Sequence, residues 1–336
     1  MDTSTNTLTP KPPSLIPSLL AGLETTANNL HLLILPVIVD LILWLAPRLS
    51  LKNLLTPMVE SSVQQLMQAS ASNDMLQVAA QVRETWTQTL SSMNLLSLIS
   101  TFPVGISSLL ATDVPSDSTP FGSRIVWEVA SANDAWTIWL VLILVGFLAG
   151  SYYFSSIARH TLKTQAPFSI GALGNQALQS IILAVLLFGV LLGIAIPVIV
   201  LTGLLAALSP GLISAALFVA GLAIIWILMP LVLSPHGIFT FRQNAFDSIR
   251  TSALVANGNR AGIGMFVLSL LVLEQGLRIL WSSPDSASWL FLVGILGHAF
   301  ISTALIAASF SYYRDGFRWW QELVHRSGSD APPLKS

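Results

Sequence analysis

Six long apolar segments constrain the fold of this chain more than any other feature of its sequence. A helix needs about 20 predominantly apolar residues to cross the hydrocarbon layer of a membrane. The segments are residues 30–46, 136–157, 178–207, 212–233, 262–281 and 288–310. Their apolar residues are continuous and do not alternate with polar ones, which favours helices over the strands of a membrane barrel. The sequence therefore predicts an all-α, polytopic transmembrane bundle of about six helices.

The low content of charged residues supports a membrane location. Only 9% of the 336 residues are charged and 53% are hydrophobic, whereas an ordinary soluble domain has about 25% charged residues. The formal net charge of −1 provides no extended field that would attract nucleic acid. The absence of cysteine excludes disulfides, thiol catalysis and thiolate metal sites. The lipid bilayer is therefore the predicted surrounding, and nucleic acid is not a predicted partner.

The apolar segments divide the chain into five parts. They are a polar cytoplasmic N-terminal segment (1–29), the first span (30–46), an extracytoplasmic amphipathic helical cap (47–135), a five-span bundle (136–310) and a cytoplasmic interfacial anchor and tail (311–336). The anchor is predicted because aromatic residues, including Trp319 and Trp320, are interleaved there with arginines. Both residue types favour the headgroup layer of a membrane.

Lysine and arginine are concentrated on one side of the predicted bundle. Ten of them lie in residues 1–29, 158–177, 234–261 and 311–336, whereas four lie in the long segment 47–135. Because basic residues are retained on the cytoplasmic side of a membrane, this distribution predicts a multi-pass plasma-membrane protein with both termini in the cytoplasm. An even number of spans agrees with that orientation.

The predicted cap contains two amphipathic stripes. Apolar residues at helical spacing run through residues 51–67 and again through residues 76–93, which predicts two helices packed together or lying on the membrane surface. Residues 94–111 then contain two short apolar halves, separated by Phe-Pro-Val-Gly at 102–105. A re-entrant hairpin, an interfacial helix and a part of the folded cap all remain open for them. The cap is interpreted either as structural or as a domain that binds a substrate or partner.

Motifs in the second half of the chain carry a resemblance to a known group. They are Phe246-x-Ser248-x(3)-Ser252 leading to Asn257-x-Asn259, and Ala307-Ala308-x(3)-Tyr312-Tyr313-Arg314-Asp315. Together with residues 35–51, they resemble uncharacterised six-span bacterial membrane proteins similar to the membrane domain associated with glycerophosphodiester phosphodiesterases. The resemblance covers roughly residues 168–320 and the first span. It implies a six-span helical fold and no catalytic residue, and the phosphodiesterase barrel is absent from the sequence.

Asp40 is the first candidate for an intramembrane polar site. It lies near the middle of the first span, where an ionisable side chain is costly and is a functional candidate by default. One interpretation is a carboxyl group that pairs with a base, stays protonated or binds a cation. The other is a hydrogen-bonded interior carboxyl that holds helices together.

Three further residues extend this candidate site. Glu274 and Arg278 lie four residues apart in the fifth span and can pair along one helix face. His298 in the sixth span is a potential partner for Asp40 or Glu274, or a hydrogen-bonded packing residue. The alternatives of a self-neutralising pair and of a polar pathway remain open.

Small residues at a spacing of four indicate close packing. Gly146-x(3)-Gly150 lies in the second span and Gly189-x(3)-Gly193 in the third. Such pairs let backbones approach closely, either within the chain or between chains.

No sequence motif in the chain carries a recognisable chemistry. The phosphate-binding loop, the zinc-binding His-Glu-x-x-His and the Gly-x-Ser-x-Gly nucleophile elbow are absent, so no catalytic residue, cofactor or metal site is predicted. The first hypothesis is a non-enzymatic partner, scaffold or lipid-associated component, associated with a membrane protein partner or with copies of itself. The alternative is a transporter or permease-like protein with Asp40 on a polar pathway, and an intramembrane enzyme ranks third.

Overall fold

Eleven α-helices make up most of the part of the chain that the structure describes. This computed structural model describes residues 11–69, 73–111, 118–163, 169–208 and 210–326. The helices are α1 (Leu15–Asn28), α2 (Ile34–Leu45), α3 (Lys52–Ala69), α4 (Asn73–Ser92), α5 (Ala132–Thr161), α6 (Ile170–Leu208), α7 (Pro210–Leu228), α8 (Ser234–Thr240), α9 (Ala245–Gly258), α10 (Arg260–Trp281) and α11 (Phe291–Arg326). Short 3₁₀ helices at Leu30–Leu33, Leu95–Ile99 and Met229–Leu231 connect some of them.

Two small sheets complete the described secondary structure. The strands are β1 (Arg48–Ser50), β2 (Ser118–Thr119), β3 (Gly122–Ser123) and β4 (Val126–Glu128). β1 pairs in parallel with β4, and β2 pairs with β3 in a short antiparallel ladder. The β1–β4 pair brings the end of α2 close to the start of α5.

The predicted helical membrane fold is confirmed at the level of its helices. Five stretches are long and apolar enough to cross a membrane. They are Ala132–Thr161, Ile170–Leu205, Ser214–Thr240, Arg260–Trp281 and Phe291–Arg326. A sixth is obtained if α1 and α2, which meet at an angle of 91°, form one broken span.

Helix α1 differs from the polar segment that the sequence predicts for residues 1–29. Ser18, Gly22 and Thr26 follow one another at a spacing of four and are buried, so they form one face of the helix. This face packs along α11, where Gly22 lies against the backbone of Ala304 and Ala308. The small side chains explain the packing, because they allow two helices to approach closely. Residues 1–10, the start of that predicted segment, lie outside the described residues.

The end of α2 is fixed to the turn between α10 and α11. The indole Nε1 of Trp44 donates a hydrogen bond to the carbonyl oxygen of Ser286 at 2.8 Å. The Trp44 ring also contacts the rings of Trp289 and Phe291. Since α1 already packs on α11, the broken helix α1–α2 is held to α11 near both of its ends.

The surroundings of the aromatic residues near 312 differ from the headgroup layer in which the sequence predicts an interfacial anchor. Helix α11 continues without a break to Arg326, and Tyr312, Tyr313 and Phe317 are buried. The Tyr312 ring stacks on Phe266 of α10 with 3.9 Å between ring centroids. These residues form a second apolar core with α9 and α10, because their rings face neighbouring helices and not the outer surface.

The two amphipathic helices predicted in the cap are present as α3 and α4. They pack against each other, and Arg83 of α4 forms an exposed ion pair with Glu60 of α3 at 3.3 Å. Exposed ion pairs contribute little to stability, so the apolar contacts between the two helices determine their packing.

We expect the substitution Gly22→Val to destabilise the bundle. A Cβ atom at Gly22 would lie 2.2 Å from the carbonyl oxygen of Ala304, so α1 and α11 must separate. Overpacking of this kind costs about 1–3 kcal/mol, and thermal unfolding in detergent should show a lower midpoint. Gly174→Val is the matched control, because a Cβ atom there meets no described atom within 4 Å. Equal midpoints for the two variants would contradict the close packing of α1 on α11.

Candidate functional site

Residues 100–111 enter the helix bundle without forming a helix or a strand. We call them the inserted segment. Val104, Ile106 and Leu109 in this segment are buried and belong to the main apolar core. Irregular backbone at membrane depth is tolerated only where protein buries it or where it lines a cavity. The sequence left three alternatives open for this region: a re-entrant hairpin, an interfacial helix and a part of the folded cap. Of these, a re-entrant segment agrees best with residues that enter the bundle.

Two glycines of α5 make room for this segment. A Cβ atom at Gly146 would lie 2.7 Å from the carbonyl oxygen of Ile99, and one at Gly150 would lie 2.8 Å from the Cα atom of Gly105. Gly150 is roughly 27 Å along α5 from Ala132, at about 1.5 Å per residue, so the inserted segment reaches far along the helix. The predicted close approach is present, but its partner is the inserted segment and not a second helix.

The other glycine pair has no such neighbour in the described part of the chain. A Cβ atom at Gly189 or at Gly193 would meet no described atom within 4 Å. Both glycines lie on α6, which has little buried surface. This helix face is therefore open within the described chain.

Asp40 holds the inserted segment from the side of α2. Its carboxylate is fully buried and accepts three hydrogen bonds. Oδ1 accepts from the hydroxyl of Ser108 at 2.5 Å and from the backbone N–H of Leu110 at 3.2 Å. Oδ2 accepts from the backbone N–H of Leu109 at 3.1 Å. A carboxylate with these donors is a hydrogen-bonded anchor for the segment, since it satisfies backbone groups that no helix or strand satisfies.

Arg278 holds the same segment from the side of α10. Its Nη2 atom donates to the carbonyl oxygen of Leu109 at 3.1 Å. Asp40 and Arg278 therefore contact the N–H and the C=O of one residue. Within the segment, Ser100 and Thr101 donate their hydroxyls to the carbonyls of Ile106 and Val104 at 2.8 and 2.5 Å.

Glu274 and His298 complete the group of four predicted residues. The Nε2 atom of His298 lies 3.1 Å from Oε1 of Glu274. A carboxylate oxygen only accepts, so Nε2 carries the hydrogen. The His298 side chain is 3% exposed, whereas that of Glu274 is 26% exposed. The structure thus joins the four predicted residues in two sets: Asp40 and Arg278 bind the inserted segment, and Glu274 and His298 bind each other.

A cavity of about 940 Å³ adjoins the inserted segment. The inserted segment and the residues just before it contribute hydroxyl groups together with apolar side chains, and helices α5, α6 and α11 contribute apolar side chains. The hydroxyl-bearing residues are Ser97, Ser100, Thr101, Ser107 and Ser108. Among the described residues that line the cavity, the charged ones are Glu274 and Arg278. Asp40 does not line it, because Ser108 lies between the carboxylate and the cavity.

The cavity wall includes residues exposed on the outer surface of the bundle. Phe102 of the inserted segment is 71% exposed, and Val185 and Phe188 of α6, which we call the mouth, are 66% and 60% exposed. The two mouth residues belong to a helix whose apolar stretch is almost entirely on the outside of the described chain. A surface this apolar faces hydrocarbon when the helix crosses a membrane. When α6 crosses a membrane, this mouth adjoins the hydrocarbon.

A second polar cluster closes the break between α7 and α8. Ser252 of α9 donates to the carbonyl oxygen of Pro230 at 2.6 Å, and Ser248 donates to the carbonyl oxygen of Ser234. Buried His236 bonds to Ser309 at 2.7 Å. The two serine hydroxyls of α9 thus donate to backbone carbonyls on both sides of the break, and the hydroxyl of Ser234 donates to the carbonyl oxygen of Leu231, which Pro235 leaves without a helical donor. The two serines of the sequence motif around 246–259 thus have a structural role.

The described residues offer no evident metal site. No group of three or more His, Cys, Asp or Glu side chains among them is arranged to hold an ion. The site consists of a hydrogen-bonded segment, the carboxyl groups of Asp40 and Glu274, the guanidinium of Arg278, the imidazole of His298 and a cavity. The interactions that such an arrangement offers to a molecule are hydrogen bonds and charge.

We expect Asp40→Leu to destabilise the protein more than Asp40→Asn. Leucine leaves the N–H groups of Leu109 and Leu110 buried without an acceptor, which costs about 1–3 kcal/mol for each group. Asparagine retains one acceptor oxygen and loses part of this network. The thermal unfolding midpoint and the amount of folded protein in the membrane fraction provide the measurement. An Asp40→Leu protein as stable as the wild type would contradict the anchoring role.

Comparison of the chain with family models, with curated proteins and with solved structures finds no match. The resemblance to six-span bacterial membrane proteins stays a prediction.

Proposed function

We propose that the protein is a non-enzymatic, lipid-associated membrane component that binds a membrane amphiphile in the cavity beside the inserted segment. The observation that carries this proposal is the composition of the cavity wall. Apolar side chains from three helices (α5, α6 and α11) and from the inserted segment line most of it, and its polar groups are serine and threonine hydroxyls with Glu274 and Arg278. An amphiphile has the same division into an apolar chain and a polar head group.

The volume of the cavity supports a ligand of this kind. Small-molecule sites measure about 300–1,000 Å³ and are mostly apolar with a few convergent polar groups. At about 940 Å³, the cavity is at the upper end of that range. It accommodates a head group and the first part of an acyl chain, while the rest of the chain extends through the mouth.

The position of the mouth supports entry of the ligand from the bilayer. Val185 and Phe188 at the mouth are apolar and largely exposed. A water-soluble solute would have to cross hydrocarbon to reach them, whereas a lipid already lies beside them. The geometry therefore favours a lipid over a soluble solute.

The alternative of a transporter with Asp40 on a polar pathway has less support. Asp40 is fully buried, its carboxylate has three donors, and it does not line the cavity. A transported ion would have to displace the backbone groups that position the inserted segment. The residue thus serves the cavity indirectly, by holding its wall.

The proposed arrangement in the membrane has six spans. Helices α1 and α2 form the first span, which is broken at residues 29–33. The excess of basic residues supports cytoplasmic termini and an extracytoplasmic position for α3 and α4. The open glycines of α6 support a membrane protein partner or a second copy of the chain at that face.

We expect Ala184→Phe to reduce the amount of bound lipid. Ala184 lines the cavity, so a phenyl ring there occupies space that the ligand needs. Native mass spectrometry of protein released gently from its membrane should show lipid retention reduced about tenfold, equivalent to about 1.4 kcal/mol. Ala195→Phe on the same helix is the control, because residue 195 does not line the cavity. Wild-type protein without any retained lipid would overturn the proposed function.

We expect cysteines at positions 123 and 169 to react from opposite sides of the membrane. The chain has no natural cysteine, and Ser123 and Ser169 are exposed beyond opposite ends of α5. In intact cells, Ser123→Cys should react with an impermeant maleimide, and Ser169→Cys should react only after permeabilisation. The reverse pattern would overturn the orientation, and labelling of both from one side would contradict α5 as a span.

A further inference from the structure

The carboxylate of Glu274 is the negatively charged group on the described wall of the cavity. It lines the same cavity as the hydroxyls of the inserted segment and the apolar side chains of α5 and α6. A carboxylate in such surroundings is costly unless a hydrogen-bond donor or a positive charge accompanies it. A ligand that supplies either of these gains binding energy at this position.

His298 fixes the direction of that carboxylate. The imidazole of His298 is almost fully buried, and its Nε2 atom binds one oxygen of Glu274. The other ring nitrogen, Nδ1, has no hydrogen-bond partner among the described residues. With its Nε2–H directed to Glu274, the ring supplies one hydrogen bond. That bond orients the carboxylate while leaving its side chain partly exposed.

Arg278 adds a charge of the opposite sign on the same wall. It lies one helical turn after Glu274, a separation of about 5–6 Å between Cβ atoms. Its guanidinium donates to Leu109 and also lines the cavity. The wall therefore presents one negative and one positive group at the distance of a single turn. A head group that carries both a phosphate and an ammonium complements this pair.

We propose that the bound amphiphile is a zwitterionic phospholipid with a primary amine, and that Glu274 recognises its ammonium group. This inference rests on the proposed function of the cavity. A primary ammonium has three N–H donors, which match the carboxylate and the hydroxyls of the inserted segment. A quaternary ammonium has no N–H donor and is recognised by aromatic cages. Head groups without an amine leave Glu274 without a partner from the ligand.

The wild-type protein provides the first test. Purified protein is exchanged into nanodiscs that contain equal amounts of phosphatidylethanolamine, phosphatidylcholine and phosphatidylglycerol, and the lipids retained after release are counted by native mass spectrometry. We expect phosphatidylethanolamine to be enriched about tenfold to hundredfold, as for one charge-assisted hydrogen bond. Retention of all three lipids without preference would overturn this inference and leave the proposed function standing. Retention of none would overturn both.

Variants at Glu274 and His298 provide the second test. Glu274→Gln should still retain lipid but lose the preference for phosphatidylethanolamine. Glu322→Gln, at an exposed position near the end of α11, is the matched control and should keep it. His298→Gln supplies an amide donor and should preserve more of the preference than His298→Leu, as a positioning role requires. If Glu274→Gln keeps the preference for phosphatidylethanolamine, another group recognises the head group, and the assignment of this role to Glu274 is overturned.

Discussion

The hydrogen bonds between Asp40 and the inserted segment determine how the rest of the bundle is arranged around it. A buried carboxylate is costly without donors, and buried backbone N–H groups are costly without acceptors. Here the Asp40 carboxylate accepts hydrogen bonds from Ser108, Leu109 and Leu110. These bonds offset the cost of burying the carboxylate and the cost of burying the backbone N–H groups. The pairing allows twelve residues without regular structure to lie among the helices. It also explains an acidic residue in an apolar span without assigning it a role in transport.

Space for the inserted segment comes from the absence of side chains. Gly146 and Gly150 place the surface of α5 directly against its backbone, and a methyl group at either position would overlap it. Gly22 likewise allows α1 to lie directly against the backbone of α11. In water, the hydrophobic effect would drive such elements together, whereas in lipid close packing and hydrogen bonds must do so. Glycine and serine therefore determine this fold more than large apolar residues do.

The sequence predicts the helices of this fold well and their contacts poorly. Continuous apolar segments identify α5, α6, α10 and α11 because a helix needs about 20 predominantly apolar residues to cross a membrane. The apolar pattern does not predict helix α1, because the buried face of α1 consists of small and polar residues. The four candidate residues were selected because ionisable groups are rare in spans. Two of them, Asp40 and Arg278, meet at Leu109 through contacts between residues up to 169 positions apart, and no local pattern encodes such contacts.

Glu274 and Arg278 of α10 have different roles in the site. Arg278 binds the carbonyl of Leu109, so it supports the wall of the cavity together with Asp40. Glu274 binds His298 of α11 and has no hydrogen bond to the inserted segment among the described contacts. The hydrogen bonds that hold the cavity wall in place are therefore different from the one that orients Glu274 for the proposed recognition of the head group. If the proposed function is correct, a change at Glu274 should alter which ligand is preferred, whereas a change at Asp40 should disrupt the wall of the cavity itself.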